Sequence, residues 1–343
     1  MHEKQFAFRK DIGTDNALSN TVNEIEKGIA NQEYVMVVFL DIKGAFDNVT
    51  TSAIMKSMIN HGVPIMIQKW YKNYLDNRFS ESGIGLERGR CKNNKGCPQG
   101  GVTSATWWNT CMDDLLKRFD GRLIITLGNT TGFADDFSGI ARNKNKNKAR
   151  KESQKALDEA VRWAISHGLE FSHAKTKVLF ITRRKGKNAE PPAPLMLYGK
   201  ELEYSETAKY LGVTIDNKLS WRQHIQNKMK SAKRIMMMCK VALARRWGPH
   251  PKYMKWLYTS VIRPQVTYGC YVWAKATETQ YIRDWLRSLQ RLGLIMIGHV
   301  RRGCPTGALE LIYDVKPLHI AIREIAMMTY FRVEHHNWKA RLR

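Results

Sequence analysis

The chain has 343 residues, and its 56 Lys and Arg against 31 Asp and Glu leave a formal net charge of +25. This length can bury a full core in two or three subdomains, which excludes a small module held together by disulfides. The positive excess favours a polyanionic partner, with nucleic acid as the first candidate. The six cysteines contain no Cys-x-x-Cys pair and are expected to be free thiols.

A membrane partner is not expected. No apolar run approaches the ~18 residues that a spanning helix needs, and no signal peptide precedes the first predicted element. We therefore expect an intracellular protein.

The chain opens with an aromatic alternation, Gln5 to Lys10, that is typical of a strand. A helix capped by Thr14 or Asp15 follows it, with apolar residues at spacings of three and four. Tyr34 to Leu40 is then an unbroken apolar run, as in a strand buried on both faces, and Asp41 ends it.

The next helix is predicted from about Asp47 or Asn48, with Met58 and Ile59 facing inward. After a basic, glycine-rich pair of strands, Cys97-Pro98-Gln99-Gly100-Gly101 is expected to open a helix that runs to about Phe119. Glycines and a glutamine at such a turn offer hydrogen-bond donors to phosphate and to base edges.

A second acidic stretch, Gly132-Phe133-Ala134-Asp135-Asp136-Phe137, predicts a tight hairpin that presents carboxylates at its turn. If this turn meets the end of the Asp41 strand, the carboxylates form a magnesium site. Either stretch alone is weak evidence for a metal site, because most Asp-Asp pairs lie in surface turns and most acids after a strand cap helices.

The remaining elements follow in order. A basic connector over residues 143–148 leads to a helix, and the stretch Gly168 to Lys177 leads to a closing strand. A small sheet is predicted over 195–216, and a basic helix from Trp221. Further helices are predicted over Tyr253 to Val261, stopped by Pro264, and over Tyr281 to Ile297.

The succession of motifs is more specific than any one of them. The Asp41 stretch, Cys97 to Gly101, Asp135-Asp136, Gly168 to Lys177 and Tyr210-Leu211-Gly212-Val213 occur in an order that resembles the reverse transcriptases. More narrowly, the chain resembles the polymerases of non-LTR, LINE-type retrotransposons of the insect jockey-like group.

This resemblance implies an α+β right-hand polymerase with a ferredoxin-like palm, partial fingers and a helical thumb. The predicted division is partial fingers (1–33), palm with inserted fingers-type elements (34–184), primer-grip-like hairpin (185–216), and helical thumb with extension (217–343).

The resemblance also implies the site residues. Asp41 and Asp135 would hold two Mg²⁺ ions, with Mn²⁺ as the alternative, Asp136 assisting and the Ile42 carbonyl completing a shell. Lys175 would approach the leaving pyrophosphate. The nucleotide would contact Arg9, Lys10, Phe46, Gln99 and Gly100, with Phe46 as the steric gate under the sugar, and the duplex would lie along Lys228, Lys233 and Lys240.

The implied partners are an RNA template, a DNA primer and dNTPs. The resemblance also implies that this chain is part of a longer polyprotein, which carries an endonuclease and acts in the nucleus. Two alternatives stay open, a decayed or domesticated copy that binds nucleic acid without polymerising, and a related enzyme such as a group II intron-type maturase or an RNA-dependent RNA polymerase. Phe46 argues against the RNA polymerase, because an acceptor of ribonucleotides needs room at that position.

Overall fold

The computed structural model describes residues 2–85, 87–121, 130–243 and 250–341. The chain forms two compact units, Met1–Ala208 and Lys209–Arg343. In the described residues the strands are β1 (Tyr34–Asp41), β2 (Phe79–Ile84), β3 (Glu87–Lys92), β4 (Thr130–Phe133), β5 (Asp136–Asn143), β6 (Lys177–Ile181), β7 (Leu195–Leu197), β8 (Lys200–Leu202), β9 (Thr207–Tyr210) and β10 (Val213–Asp216).

The helices are mostly long enough to present one apolar face to a core. They are α1 (Thr14–Ala30), α2 (Ala45–Asn48), α3 (Thr51–Asn60), α4 (Ile65–Asp76), α5 (Ser104–Gly121), α6 (Lys146–Ser166), α7 (Arg222–Leu243), α8 (Pro251–Leu257), α9 (Arg263–Thr267), α10 (Cys270–Trp273), α11 (Gln280–Gly298), α12 (Thr306–Ile312) and α13 (Leu318–Arg341).

The first unit is built on a four-stranded antiparallel sheet in the order β4-β5-β1-β6. Together with α5 and α6 this is the split β-α-β-β-α-β arrangement. Strand β1 lies in the middle of the sheet, and its first seven residues are buried, as the apolar run predicts. At the end of β1, Asp41 pairs with Asp136 of β5 on one side, and on the other side its carbonyl accepts the N–H of Ser172 in the loop before β6.

Helices cover both faces of this sheet. Met36, Val38 and Leu40 belong to the core that α5 and α6 complete, whereas Val35 faces α1. At that contact Gly28 is required, because a Cβ there would lie 2.5 Å from the Val35 side chain. Alternate side chains of β1 therefore pack against opposite layers.

Several predicted elements differ from the structure. Residues 5–10 form no strand, and their strand pairing is a single bridge from Gln5 to Gly132. The helix expected from Asp47 or Asn48 begins as the short α2, and α3 starts separately at Thr51 with Thr50 as its cap. Ile59 is 61% exposed, because it lies about 100° around the helix from the buried Met58.

Two further boundaries were wrong. Helix α5 begins at Ser104, so Cys97 to Gly101 form a loop before it. Pro264 does not stop the helical segment, because the chain continues from α8 through the π-helical turn Tyr258–Ile262 directly into α9. The small sheet predicted over 195–216 is divided into two separate two-stranded sheets, β7 with β8 and β9 with β10, and the first of them turns at Tyr198 and Gly199.

The second unit is mainly helical, as expected of its composition. Helix α7 buries Ile225, Met229 and Ala232, and α11 buries its own apolar face. The Asp216 carboxylate accepts backbone N–H bonds from Lys218, Ser220 and Trp221, which ends the β10 strand and leads the chain into α7.

All six cysteines are free thiols, as expected. Among the helices that the structure describes, none combines the length and apolar character that crossing a membrane requires.

Acidification is expected to destabilise the second unit through His224. Burial, with a smaller contribution from Lys228, lowers the pKa of His224 from 6.5 to about 4. Between pH 7 and pH 5 the unfolded chain takes up a proton here and the folded chain does not. The free energy of unfolding should therefore fall by about 2 kcal/mol from this group alone.

Urea unfolding at the two pH values measures this effect, with His224→Gln as the comparison. The His224 Nδ1 atom accepts the backbone N–H of Thr214, and a glutamine oxygen can accept the same bond without titrating. An equal loss of stability in wild type and His224→Gln between pH 7 and pH 5 would contradict the assignment.

Candidate active site

The two acidic stretches meet at one edge of the sheet. In the antiparallel register of β1 and β5, Asp41 lies directly opposite Asp136. Strands β4 and β5 pair from Phe133 and Asp136, which leaves Ala134 and Asp135 as the two-residue turn. The predicted hairpin and its contact with the end of β1 are therefore both present.

The three carboxylates concentrate negative charge. Burial and then the charges of Asp135 and Asp41 raise the pKa of Asp136 to about 6, and Lys175 opposes this shift. A cation at this edge would relieve the repulsion between the carboxylates.

Lys175 reaches the same edge although it lies far along the chain. Its Nζ is 3.3 Å from Asp41 Oδ2, and its side chain is 70% exposed. The preceding loop is bound to the end of β1 by backbone hydrogen bonds, from Ser172 N to Asp41 O (2.8 Å) and from Lys43 N to Glu170 O (2.9 Å). These bonds bring Lys175 to the carboxylates.

The donor set fits a divalent cation that substrate oxygens also bind. Asp41 Oδ2 is buried and has no hydrogen-bond donor among the described residues, apart from the ion pair with Lys175. Within the same residues, no group of three or more acidic, His or Cys side chains is close enough to hold a metal by itself. Mg²⁺ commonly takes one or two carboxylates and completes its shell with water and substrate phosphates, which agrees with this arrangement.

Phe46 lies just beyond this edge. Gly44 adopts a left-handed backbone (φ 52°) and turns the chain into α2, which carries Phe46. The half-buried Phe46 ring packs against Trp108 at a centroid distance of 5.3 Å, and the Phe8 ring meets it edge-on at 6.4 Å. Ile42 is buried and forms a bridge with Phe171.

Gln99 and Gly100 lie in the loop between β3 and α5, which is hydrogen-bonded to α2. Gln99 Nε2 donates to Asp47 Oδ1 at 3.0 Å, and Gly100 has a left-handed backbone (φ 79°) with open space where a Cβ would be. The loop is held close, because Cys97 N donates to Phe46 O at 2.6 Å. At Gly96 a Cβ would lie 2.7 Å from the Asp47 carbonyl oxygen, so this close approach requires glycine.

The structure does not bring Arg9 and Lys10 to the carboxylates within the described residues. The Arg9 guanidinium donates to the backbone carbonyls of His2, Glu3 and Gln5 at 3.0–3.1 Å, and Lys10 is exposed. In this conformation Arg9 therefore stabilises the turn before α1. Its role toward a nucleotide stays a prediction.

The predicted nucleic-acid lysines belong to the second unit, on α7. Lys233 is exposed, whereas Lys228 is half-buried, with its Nζ 4.7 Å from the centroid of the Tyr268 ring. Burial and then Lys209 lower the pKa of Lys228. The side chain of Lys240 lies outside the described residues.

Sequence reasoning missed three residues around the carboxylates. Trp108 donates its indole N–H to the carbonyl of Ala134, Asp47 binds Gln99, and Glu170 forms an ion pair with Lys43 at 2.7 Å. No local pattern in the sequence indicates these three contacts, because each joins segments that lie far apart along the chain.

Comparison with known sequences identifies the protein family to which the chain belongs. The profile of the family described as reverse transcriptase (RNA-dependent DNA polymerase) matches residues 1–215, which is more than half of the chain. The chain therefore belongs to the reverse transcriptase family. The predicted fold class, an α+β right-hand polymerase with a ferredoxin-like palm, is confirmed by this membership and agrees with the order of the sheet.

Its relatives narrow the family to non-LTR retrotransposon polymerases, which confirms the resemblance. The chain is 24% identical over 339 residues to a 115 kDa protein in type-1 retrotransposable element R1DM of Drosophila melanogaster, covering 97% of this chain and 32% of that protein. It is 25% identical over 343 residues to the RNA-directed DNA polymerase from mobile element jockey of Drosophila funebris, covering 97% and 36%.

The chain thus spans about a third of the length of these relatives. Among solved structures it is similar to apo telomerase from Candida tropicalis, with a TM-score of 0.46 and 11% identity over 96% of this chain and 58% of that one. The family implies a divalent metal cation and nucleic-acid binding.

Proposed function

We propose that this chain extends a DNA primer on an RNA template as part of a retrotransposon polyprotein. The observation that carries the proposal is the position of Asp41 directly opposite Asp136, with Asp135 in the adjoining turn and the Lys175 ammonium 3.3 Å from Asp41. In the reaction the primer 3′-hydroxyl would lose its proton to solvent, and its oxygen would form a bond to the α-phosphorus of a dNTP. The bond from that phosphorus to the oxygen bridging to the β-phosphorus would break, and pyrophosphate would leave with the electron pair.

Mg²⁺ is the cation we propose, with Mn²⁺ as the alternative, held by Asp41, Asp135 and the Ile42 carbonyl. When bound, two such ions lower the pKa of the attacking hydroxyl and stabilise charge on the leaving oxygens. Asp136, which lies opposite Asp41, assists these ligands by adding negative charge next to them.

The remaining roles belong to side chains that need no metal. Lys175 neutralises charge that develops on the leaving pyrophosphate and can donate a proton to it. Phe46 occupies the space that a ribose 2′-hydroxyl would need. Because the Gln99 amide donates to Asp47, its oxygen is left to accept a hydrogen bond from the bound nucleotide, which Gly100 allows to approach the backbone.

The proposed partners are an RNA template, a DNA primer and dNTPs, with an endonuclease elsewhere in the polyprotein and action in the nucleus. The net charge of +25 supports binding to nucleic acid. Arg9 and Lys10 are kept as proposed triphosphate contacts, which would require Arg9 to leave its backbone carbonyls.

The direct test is extension of a DNA primer on an RNA template with Mg²⁺, compared with the same primer on a DNA template. Incorporation of dNTPs on RNA that requires the divalent cation would support the proposal. A chain that binds the primer–template but extends it on neither template would support the alternative of a non-catalytic copy.

Salt is expected to weaken this binding steeply. Each phosphate contact contributes a slope of about 0.9 in the logarithm of affinity against the logarithm of salt, so replacing Lys228, Lys233 and Lys240 with Gln should flatten the slope by about 2–3. Titrations of a labelled duplex at several salt concentrations measure this.

The matched control replaces Lys148, Lys151 and Lys155 with Gln. These lysines are exposed on α6, and their replacement removes the same amount of charge as the α7 variant. If both triple variants change the salt dependence of affinity equally, the change reflects net charge alone. That result would contradict the proposal that the duplex lies along α7.

A further inference from the structure

Trp108 connects two parts of the proposed active site. It lies on α5, its side chain is fully buried, and its indole N–H donates to the carbonyl oxygen of Ala134 at 2.9 Å. That oxygen belongs to the peptide group that joins Ala134 to Asp135. A single hydrogen bond from the core therefore holds the peptide plane from which Asp135 projects.

The turn needs such support. Ala134 has φ of 56°, in the left-handed region, which costs a residue with a Cβ roughly 1–2 kcal/mol. A strained conformation persists where the surrounding structure fixes it. The α5 helix supplies that restraint, since Trp108 is anchored in the core by its packing.

The same indole also contacts the proposed steric gate. Its ring centroid lies 5.3 Å from that of Phe46, in a tilted arrangement. Phe46 also contacts Phe8, whose ring meets it edge-on at a centroid distance of 6.4 Å. Displacement of Trp108 would therefore shift both the acidic turn and the ring beneath the sugar.

We infer that Trp108 is a positioning residue, which sets the Ala134–Asp135 turn through its N–H and the Phe46 ring through its face. The inference rests on the proposed function, because it assumes that the carboxylates hold the catalytic cation. Trp108 itself touches neither the cation nor the substrate.

The test is Trp108→Phe, which keeps an aromatic ring and removes the N–H donor. Losing one hydrogen bond of this kind corresponds to about a five- to tenfold effect. We expect Mn²⁺ affinity, measured by electron paramagnetic resonance, to fall by that factor. In primer extension we expect kcat to fall similarly while the KM for dNTP changes less than twofold.

Trp163→Phe is the matched control. Trp163 is also fully buried in the first unit, on α6, but its indole nitrogen has no hydrogen-bond partner among the described residues. The control therefore reports the cost of replacing a buried indole by a phenyl ring. We expect its Mn²⁺ affinity and kcat to match wild type, and thermal unfolding of both variants records any general loss of stability.

A Trp108→Phe chain that retains the Mn²⁺ affinity and kcat of the Trp163→Phe chain would overturn the inference. Equal losses in both variants would overturn it as well, because they would show a structural role alone. If the wild-type chain extends no primer, the proposed function fails, and the difference in Mn²⁺ affinity between the two variants still decides the role of Trp108.

Discussion

Asp135→Ala is expected to reduce primer extension by about 10³-fold or more, because removal of a metal ligand forfeits several kcal/mol of transition-state stabilisation. Asp135 lies in the turn between β4 and β5, beside the opposed pair of Asp41 and Asp136. Asp41→Ala should have an effect of the same order. Single-turnover extension on a primer–template measures both rates.

Duplex binding should survive these substitutions, since each removes a negative charge from a chain of net charge +25. Asp158→Ala is the matched control, because Asp158 is an exposed acid of α6 whose side chain accepts a hydrogen bond from Gln154. It should extend primers like wild type. Extension by Asp135→Ala within a few-fold of this control would refute the two-metal assignment.

The sequence predicted the parts of this site that depend on local patterns. A run of apolar residues identified β1 as a buried strand, and the Asp-Asp pair between glycines identified the hairpin. The structure adds the register, which places Asp41 opposite Asp136.

Contacts between distant segments could not be predicted in the same way. Lys175 reaches Asp41 because the Ser172 N–H donates to the Asp41 carbonyl, and no local pattern encodes that bond. The contact of Trp108 with Ala134 depends equally on how α5 packs beneath the hairpin. Such contacts form only when distant segments of the palm pack together. The sequence therefore indicated which residues carry the carboxylates, but not which residues hold them in place.

The predicted contact of Arg9 with a triphosphate stays a prediction, since its guanidinium here donates to carbonyls of its own turn. One helix boundary was wrong. Helix α5 was expected to begin at Cys97. Instead, left-handed glycines at positions 96 and 100 continue the loop as far as Ser104.

Phe46→Val is expected to relax discrimination between dNTPs and rNTPs. Phe46 follows Asp41 by five positions, and Trp108 and Phe8 hold its ring in place. A ring in a close-packed setting excludes a hydroxyl by overlap, because its surroundings cannot yield cheaply. The valine side chain leaves that space open, so ribonucleotides should gain access while deoxyribonucleotides lose little.

The expected loss of discrimination is roughly 1–3 kcal/mol, or about 10–200-fold, the scale of small steric differences in a pocket. The ratio of kcat/KM for dNTP and rNTP measures it in each variant. Phe180→Val is the control, since Phe180 is a buried residue of β6 that stacks on Tyr34, and its loss should lower stability without altering the ratio. Equal ratios in wild type and Phe46→Val would make Phe46 a core residue, and DNA synthesis would then be inferred from family membership and the carboxylates alone.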